Sequence, residues 1–150
     1  MTALAVLLVA LAAAVGAGLL LRRNEGRVRA SAAPERAGDE RAALLAAAGV
    51  LPGRPTVLHF SADWCGPCAA VRRVVAGVAG ELAGEPDAPL DLELDIDANP
   101  ELARVLNVLS LPTTFVLDAA GQERFRISGV PKAADIRRSL ASLTVSGAVE

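Results

Sequence analysis

The sequence predicts an α/β domain with a mixed β-sheet flanked by helices, preceded by a single hydrophobic helix. Its 150 residues allow one domain plus a tail, since a domain takes about 100 to 200 residues. From residue 40 onward helical and strand-like patterns follow one another, and the run PLDLELDID alternates apolar and acidic residues, as a half-buried strand does. We therefore predict a transmembrane helix at residues 1–21, a flexible tether at residues 22–39 and the folded domain at residues 40–150.

The amino-terminal segment Thr2–Leu21 contains no charged residue. A helix of this length is about 30 Å long, which matches the thickness of the bilayer core. A cleaved signal peptide is the rival interpretation, but its apolar region should be shorter and should follow basic residues, which are missing here. The segment therefore predicts a retained membrane anchor.

Basic residues follow this segment and none precedes it. Arg22, Arg23, Arg27 and Arg29 come after it, and basic residues that flank a span stay on the cytoplasmic side. We expect the N-terminus outside and the domain in the cytoplasm, with an extracytoplasmic domain as the alternative. Glycine, proline, alanine and mixed charge in the following residues are typical of a flexible tether.

The predicted order of elements in the domain is helix, strand, helix, strand, helix, two hairpin strands and helix, an order typical of an α/β layer architecture. Gly49 ends the first helix, Asn99 and Pro100 begin the third, and Gly121 lies in the hairpin turn. The segments are, in order, ERAALLAAAGV, PTVLHFSA, CAAVRRVVAGVAGELAG, PLDLELDID, NPELARVLNV, TTFVLD, ERFRISG and PKAADIRRSLASL.

Both cysteines of the chain, Cys65 and Cys68, lie in the stretch FSADWCGPCAAVRR. A zinc site would need ligands that the single histidine, His59, can hardly supply, so we expect no metal. A structural disulfide here would close a very small loop and remove little entropy from the unfolded chain. A net charge of −2 argues against a nucleic-acid partner. A reactive dithiol is the better explanation of the pair.

Four motifs make the domain resemble the thioredoxin family from about residue 55 to residue 143. They are ADWCGPC, DIDANP, LPTTFV and the glycines Gly121 and Gly129. The resemblance implies a thioredoxin-like fold, a cis peptide bond before Pro112, no cofactor, protein disulfides as substrates and a reductase as electron donor. It also implies a substrate-binding surface formed by Trp64, Gly66, Pro67, Leu111, Pro112 and Gly129.

The positions of the two cysteines suggest different roles. A thiolate attacks a disulfide, and the start of a helix lowers the pKa of a nearby thiol through its partial positive charge and free N–H donors. Cys65, on the exposed side, is therefore the predicted nucleophile. Cys68, one turn into the predicted helix, is the resolving cysteine.

Two positions depart from the family's pattern. His59 stands where family members commonly carry a buried acid, and Glu93 stands where they usually carry a lysine on the neighbouring strand. We predict that Glu93 orients His59 and that His59 relays a proton to and from Cys68. The structural alternative is a hydrogen-bonded histidine under the helix, with Glu93 turned to solvent.

Three functions compete on the sequence alone. The leading one is a membrane-tethered thiol–disulfide oxidoreductase that reduces protein disulfides. The second is an extracytoplasmic thiol reductase of the cytochrome c maturation type. The third is a thioredoxin-like binding module without turnover, which the intact pair Cys65 and Cys68 together with Pro112 disfavours.

Overall fold

The computed structural model describes residues 2–24, 28–30 and 38–146 of the chain. The elements are, in chain order, α1 (Thr2–Asn24), β1 (Val28–Ala30), α2 (Gly38–Ala47), β2 (Thr56–Ser61), α3 (Cys68–Glu81), β3 (Leu90–Asp95), α4 (Pro100–Val105), β4 (Thr113–Leu117), β5 (Glu123–Ser128) and α5 (Ala133–Ser146). From α2 onward this is the predicted order of helices and strands.

The five strands form one mixed sheet in the order β1-β5-β4-β2-β3. β2 and β3 are parallel, and the other neighbouring strands are antiparallel. The parallel pair is joined by α3, while β4 and β5 form a hairpin around Gly121, whose φ of 73° favours glycine. The predicted mixed sheet flanked by helices is thus confirmed.

Each face of the sheet is covered by two helices. Alternate residues of a strand point to opposite faces, so a single strand packs against helices on both sides. On one face Leu58 and Phe60 of β2 pack with residues of α2 and α4. On the other face Val57 packs with residues of α3 and α5. The second cluster consists of Val57, Val71, Val75, Val78, Val116, Ile127, Ile136 and Leu140. His59 is on the same face as Val57, so it lies among the residues beneath α3.

A short strand, β1, lies within the predicted tether and pairs with β5. The sequence did not predict it, because a strand of three residues is too short to show an apolar alternation. The other residues between 24 and 38 lie outside the described part of the chain, so the predicted flexibility of the tether remains a prediction.

The predicted membrane segment is helical, within α1. Among the residues that the structure describes, however, no helix combines the length and apolar character needed to cross a membrane. The predicted transmembrane helix at residues 1–21 is therefore not confirmed.

Candidate active site

Three segments of the predicted site meet at one end of the sheet. β2 leads through Ala62 to the cysteines, and its carboxyl end pairs with the amino end of β4, where Phe60 lies opposite Thr113. Thr113 also lies opposite Ser128, the last residue of β5. The residues just before β4 and just after β5 therefore lie beside the segment that carries the dithiol.

Cys65 and Cys68 form a disulfide with their Cα atoms 5.5 Å apart. Cys65 is partly exposed, whereas Cys68 is 3% exposed and its Sγ lies 3.9 Å from the carbonyl oxygen of Phe60. An incoming disulfide can thus reach the first sulfur more easily than the second.

Helix α3 begins at Cys68 and not at Cys65, because Gly66 and Pro67 form a turn in which the Cys68 N–H donates to the Cys65 carbonyl at 3.2 Å. The expectation that Cys68 lies one turn into the helix is therefore wrong: it is the first helical residue. Cys65 is placed just before the amino end of α3, where helical N–H groups and the helix dipole stabilise a thiolate.

The loop before β4 has the predicted cis peptide bond between Leu111 and Pro112. The N–H of Gly129 donates to the carbonyl oxygen of Pro112 at 2.9 Å, which joins the ends of the two hairpin strands. Gly129 has a φ of 83°, a conformation that glycine adopts without strain. Pro112 is buried and Leu111 is partly exposed, so Leu111 is the side chain of this pair that solvent can reach.

Trp64 is 70% exposed and is oriented by one hydrogen bond. Its Nε1–H donates to Oδ2 of Asp97 at 3.2 Å, and the N–H of Asp97 in turn donates to Oδ1 of Asp95. The loop after β3 therefore holds an aromatic ring beside the dithiol and leaves most of that ring open to a partner.

His59 is 1% exposed, and its Nε2 lies 3.2 Å from Oδ1 of Asp91. Glu93 is directly opposite His59 in the register of β2 and β3, as we predicted from the sequence. Its carboxylate nevertheless pairs with Arg72 of α3, whose Nε donates to Oε2 at 2.7 Å. The prediction that Glu93 orients the ring is therefore wrong: an arginine on the covering helix attracts Glu93, and Asp91 contacts the imidazole instead.

The electrostatics of Glu93 follow from these contacts. The hydrogen bond from Arg72 lowers the pKa of Glu93 to about 2, against the opposing effect of burial, with smaller contributions from the Ser61 hydroxyl and from His59. A carboxylate with so low a pKa is a poor proton acceptor near neutral pH. Glu93 fixes α3 to the sheet rather than supplying a base.

Sequence reasoning missed Asp91, Arg72 and Asp97 as residues of this site. A signal for Asp91 was present, since it shares the acidic face of the PLDLELDID run with Glu93. Arg72 follows Cys68 by four residues, which puts the two on the same side of a helix. Nothing in the sequence indicates which of the two acids the arginine selects.

The fold and the dithiol together define a thioredoxin-like thiol–disulfide oxidoreductase. The family model described as Thioredoxin matches residues 48–142, which is more than half of the chain. The chain belongs to the thioredoxin family.

Curated relatives match over the same domain. Thioredoxin of Mycobacterium tuberculosis is 40% identical over 91 residues, which are 60% of this chain and 74% of that protein. The bifunctional thioredoxin reductase/thioredoxin of Mycobacterium leprae is also 40% identical over 91 residues, but the match spans only 19% of that longer protein. Among solved structures, chloroplastic thioredoxin z shares 26% identity with a TM-score of 0.56, over 71% of this chain and 90% of that one. Fasciola hepatica thioredoxin shares 29% identity with a TM-score of 0.52, over 67% and 88% of the two chains.

Proposed function

We propose that this protein reduces disulfides in other proteins through its Cys65/Cys68 dithiol and is itself returned to the dithiol form by a reductase. The observation that carries the proposal is the difference between the two sulfurs. Cys65 is partly exposed before the amino end of α3, whereas Cys68 is buried within disulfide-bonding distance of it. One sulfur is placed to meet a substrate and the other to displace it.

The proposed reaction proceeds in two exchanges. The thiolate of Cys65 attacks one sulfur of the substrate disulfide, the substrate S–S bond breaks, and the released substrate sulfur leaves as a thiolate that takes up a proton. Cys68 then loses its proton and attacks Cys65, which breaks the mixed disulfide, forms the Cys65–Cys68 disulfide and releases the second substrate thiol. The enzyme loses two electrons, which the substrate gains.

Substitution of each cysteine by serine separates the two exchanges. Cys65→Ser should abolish reduction of a protein disulfide such as that of insulin. Cys68→Ser should accumulate substrates as mixed disulfides with Cys65, visible as adducts on non-reducing gels that a reducing agent removes. Adducts formed through Cys68 in the Cys65→Ser protein, with none through Cys65, would reverse the assignment. If both single variants fold and still reduce insulin, the dithiol mechanism is excluded. If the parent itself does not reduce insulin, a binding module is favoured.

His59 is the proposed base for Cys68 in the second exchange. It is the histidine of β2 that lies on the face covered by α3, and Cys68 is the first residue of that helix. A neutral imidazole can accept a proton near neutral pH, whereas the paired Glu93 cannot readily do so. His59→Ala should slow the second exchange while leaving the first exchange by Cys65 largely intact.

The location of the protein is also a proposal, and its support is the sequence alone. The uncharged run at residues 2–21 favours attachment to a membrane, and the arginines that follow favour a cytoplasmic domain. Protein that resists extraction from membranes at alkaline pH would support attachment, and its release with the soluble fraction would contradict it.

Labelling of the reduced dithiol with a membrane-impermeant maleimide tests the side of the membrane. We expect labelling only after cells are permeabilised, with a thiol of known periplasmic location as the control. Labelling of intact cells would place Cys65 outside the cytoplasm and favour the extracytoplasmic reductase.

A further inference from the structure

Asp91 of β3 is the acid that contacts the buried imidazole of His59. Its Oδ1 lies 3.2 Å from Nε2 of the ring. The side chain of His59 is 2% exposed and that of Asp91 is 29% exposed. The pair therefore connects a ring buried beneath α3 with a carboxylate that reaches solvent.

The contact fixes which ring nitrogen carries the proton. An ionised carboxylate has no hydrogen to donate, so the hydrogen bond forms only when Nε2 carries a hydrogen. In the neutral ring, Nδ1 is then the nitrogen without a hydrogen and the one that can accept a proton.

The register of the sheet shows the direction in which the ring leans. Asp91 lies opposite Val57, two residues before His59 on β2, whereas the cysteines follow the carboxyl end of β2. Asp91 therefore holds Nε2 toward the amino end of β2, which leaves Nδ1, without a partner in the described part of the chain, as the ring nitrogen that could face the dithiol.

We propose that Asp91 is a positioning residue for the second exchange: it holds His59 with the hydrogen on Nε2 and presents Nδ1 as the base that takes the proton of Cys68. The inference rests on the proposed disulfide reduction and on the role of His59 in it. In this step the Cys68 S–H bond breaks, the proton moves to Nδ1, and the sulfur electron pair attacks Cys65. The Cys65–Cys68 bond forms, the bond between Cys65 and the substrate sulfur breaks, and the substrate leaves as a thiolate. The proton leaves His59 for solvent when the ring returns to its neutral form, and the exposed carboxylate of Asp91 stabilises the cationic ring until then.

The other groups around the ring do not offer an equivalent contact. β3 also presents Glu93, which Arg72 of α3 engages. β4 presents Thr114 opposite His59, and its hydroxyl has no hydrogen-bond partner among the described residues. On this side α3 presents Arg72, which is paired with Glu93, and Cys68 itself, and α5 contributes the apolar Ile136 and Leu140 to this face.

The test uses the full-length reduced protein and an aromatic disulfide that releases a coloured thiolate at each exchange. Cys65 releases the first thiolate and Cys68 the second, so one absorbance trace reports both rates. Asp91→Asn should leave the rate of the first phase within about twofold of the parent and slow the second phase about tenfold at neutral pH. This slowing is a fraction of a full general-base effect. Asp87→Asn is the matched control, since it removes an exposed carboxylate from the loop before β3, and it should follow the parent in both phases.

The ring itself supplies a second measurement that a merely structural role would not move. Because His59 is the only histidine, a long-range proton–nitrogen NMR spectrum reports its tautomer without assignment. The neutral ring of the parent should carry its hydrogen on Nε2, and Asp91→Asn should weaken this preference, because an amide can donate as well as accept a hydrogen bond.

Each outcome bears on a separate claim. If the second phase of Asp91→Asn is as fast as that of the parent, the role of Asp91 is overturned while disulfide reduction stands. The same holds if the neutral ring of the parent carries its hydrogen on Nδ1. An Asp91→Asn protein that loses stability in denaturant and slows both phases equally shows a structural role and also overturns it. A parent that releases neither thiolate refutes the proposed function itself.

Discussion

At the scale of single residues, two acids of one strand have different partners for a reason that packing supplies. Asp91 and Glu93 are two residues apart on β3 and are equally exposed, each at 29%. Glu93 lies within reach of Arg72 because α3 crosses β3 there, whereas Asp91 is left with the buried His59. The sequence placed both acids on the correct face, but the choice of partner depends on where a helix of another segment lies.

The Glu93–Arg72 pair predicts a particular dependence of stability on pH. The pKa of Glu93 is lowered from 4.5 to about 2 in the folded protein. The pair therefore stabilises the fold fully at pH values above the pKa of Glu93 in the unfolded chain. This contribution is lost as the pH falls through the pKa of Glu93 in the folded protein. Glu93→Gln should therefore lower the free energy of unfolding by about 1 kcal/mol at pH 7, and the difference from the parent should shrink between about pH 4.5 and pH 2.

Urea unfolding of the parent and the variant across this pH range measures the effect. Glu81→Gln is a useful comparison, because Glu81 also accepts two hydrogen bonds from an arginine, Arg137, but its side chain is 55% exposed against 29% for Glu93. We expect a smaller difference there. A Glu93→Gln effect that is as large at pH 2 as at pH 7 would mean that the loss comes from packing and not from charge.

At the scale of elements, Arg126 of β5 joins the sheet to α4. Its Nη2 donates to the carbonyl oxygen of Leu106 at 2.8 Å and its Nη1 to that of Asn107 at 3.0 Å, just beyond the end of α4. Its guanidinium also lies 4.6 Å from the centre of the Phe115 ring. The same side chain pairs with Glu123, which is 6% exposed. One arginine therefore satisfies helix-end carbonyls and neutralises a buried acid.

Replacement of Arg126 should be costly for that reason. Arg126→Ala leaves the charge of Glu123 buried with only a distant partner, Arg41 at 3.9 Å, so we expect a loss of about 3 kcal/mol in the free energy of unfolding. Arg126→Lys should recover only part of it, because an ammonium cannot make the same set of directed hydrogen bonds. Chemical denaturation measures both variants.

Arg124 provides the control on the same strand. It makes one exposed pair with Asp118 at 3.3 Å, and Arg124→Ala should cost less than about 1 kcal/mol. Equal losses for the two alanine variants would show that the contacts of Arg126 with α4 and Glu123 contribute nothing beyond those of an ordinary surface arginine.

At the scale of the whole molecule, the elements from α2 to α5 could be predicted because each carries its own pattern. The strict alternation of β3 and the apolar spacing of α3 are local signals, and the CGPC and LPT motifs locate the dithiol and the cis proline. β1 and the pairing of His59 with Asp91 could not be predicted, since they depend on contacts between segments that are distant in sequence. The local pattern therefore defines the fold, whereas the electrostatics of the site needs the packed structure.

The last prediction concerns how much of the chain the domain needs. Both core clusters and the residues packed against them lie between Leu44 and Leu143, and the dithiol, Pro112 and His59 lie within the same span. A chain that begins at Gly38 should therefore unfold cooperatively and reduce the aromatic disulfide at the rate of the full chain. It loses the three-residue pairing of β1 with β5, which should cost about 2 kcal/mol at most, since the net contribution of a hydrogen bond is about 1 kcal/mol. Denaturant unfolding and the two-phase absorbance trace test both statements. A shortened chain without a cooperative transition would show that residues 1–37 contribute to the core, and a folded chain with a slower second phase would show that they act on the site.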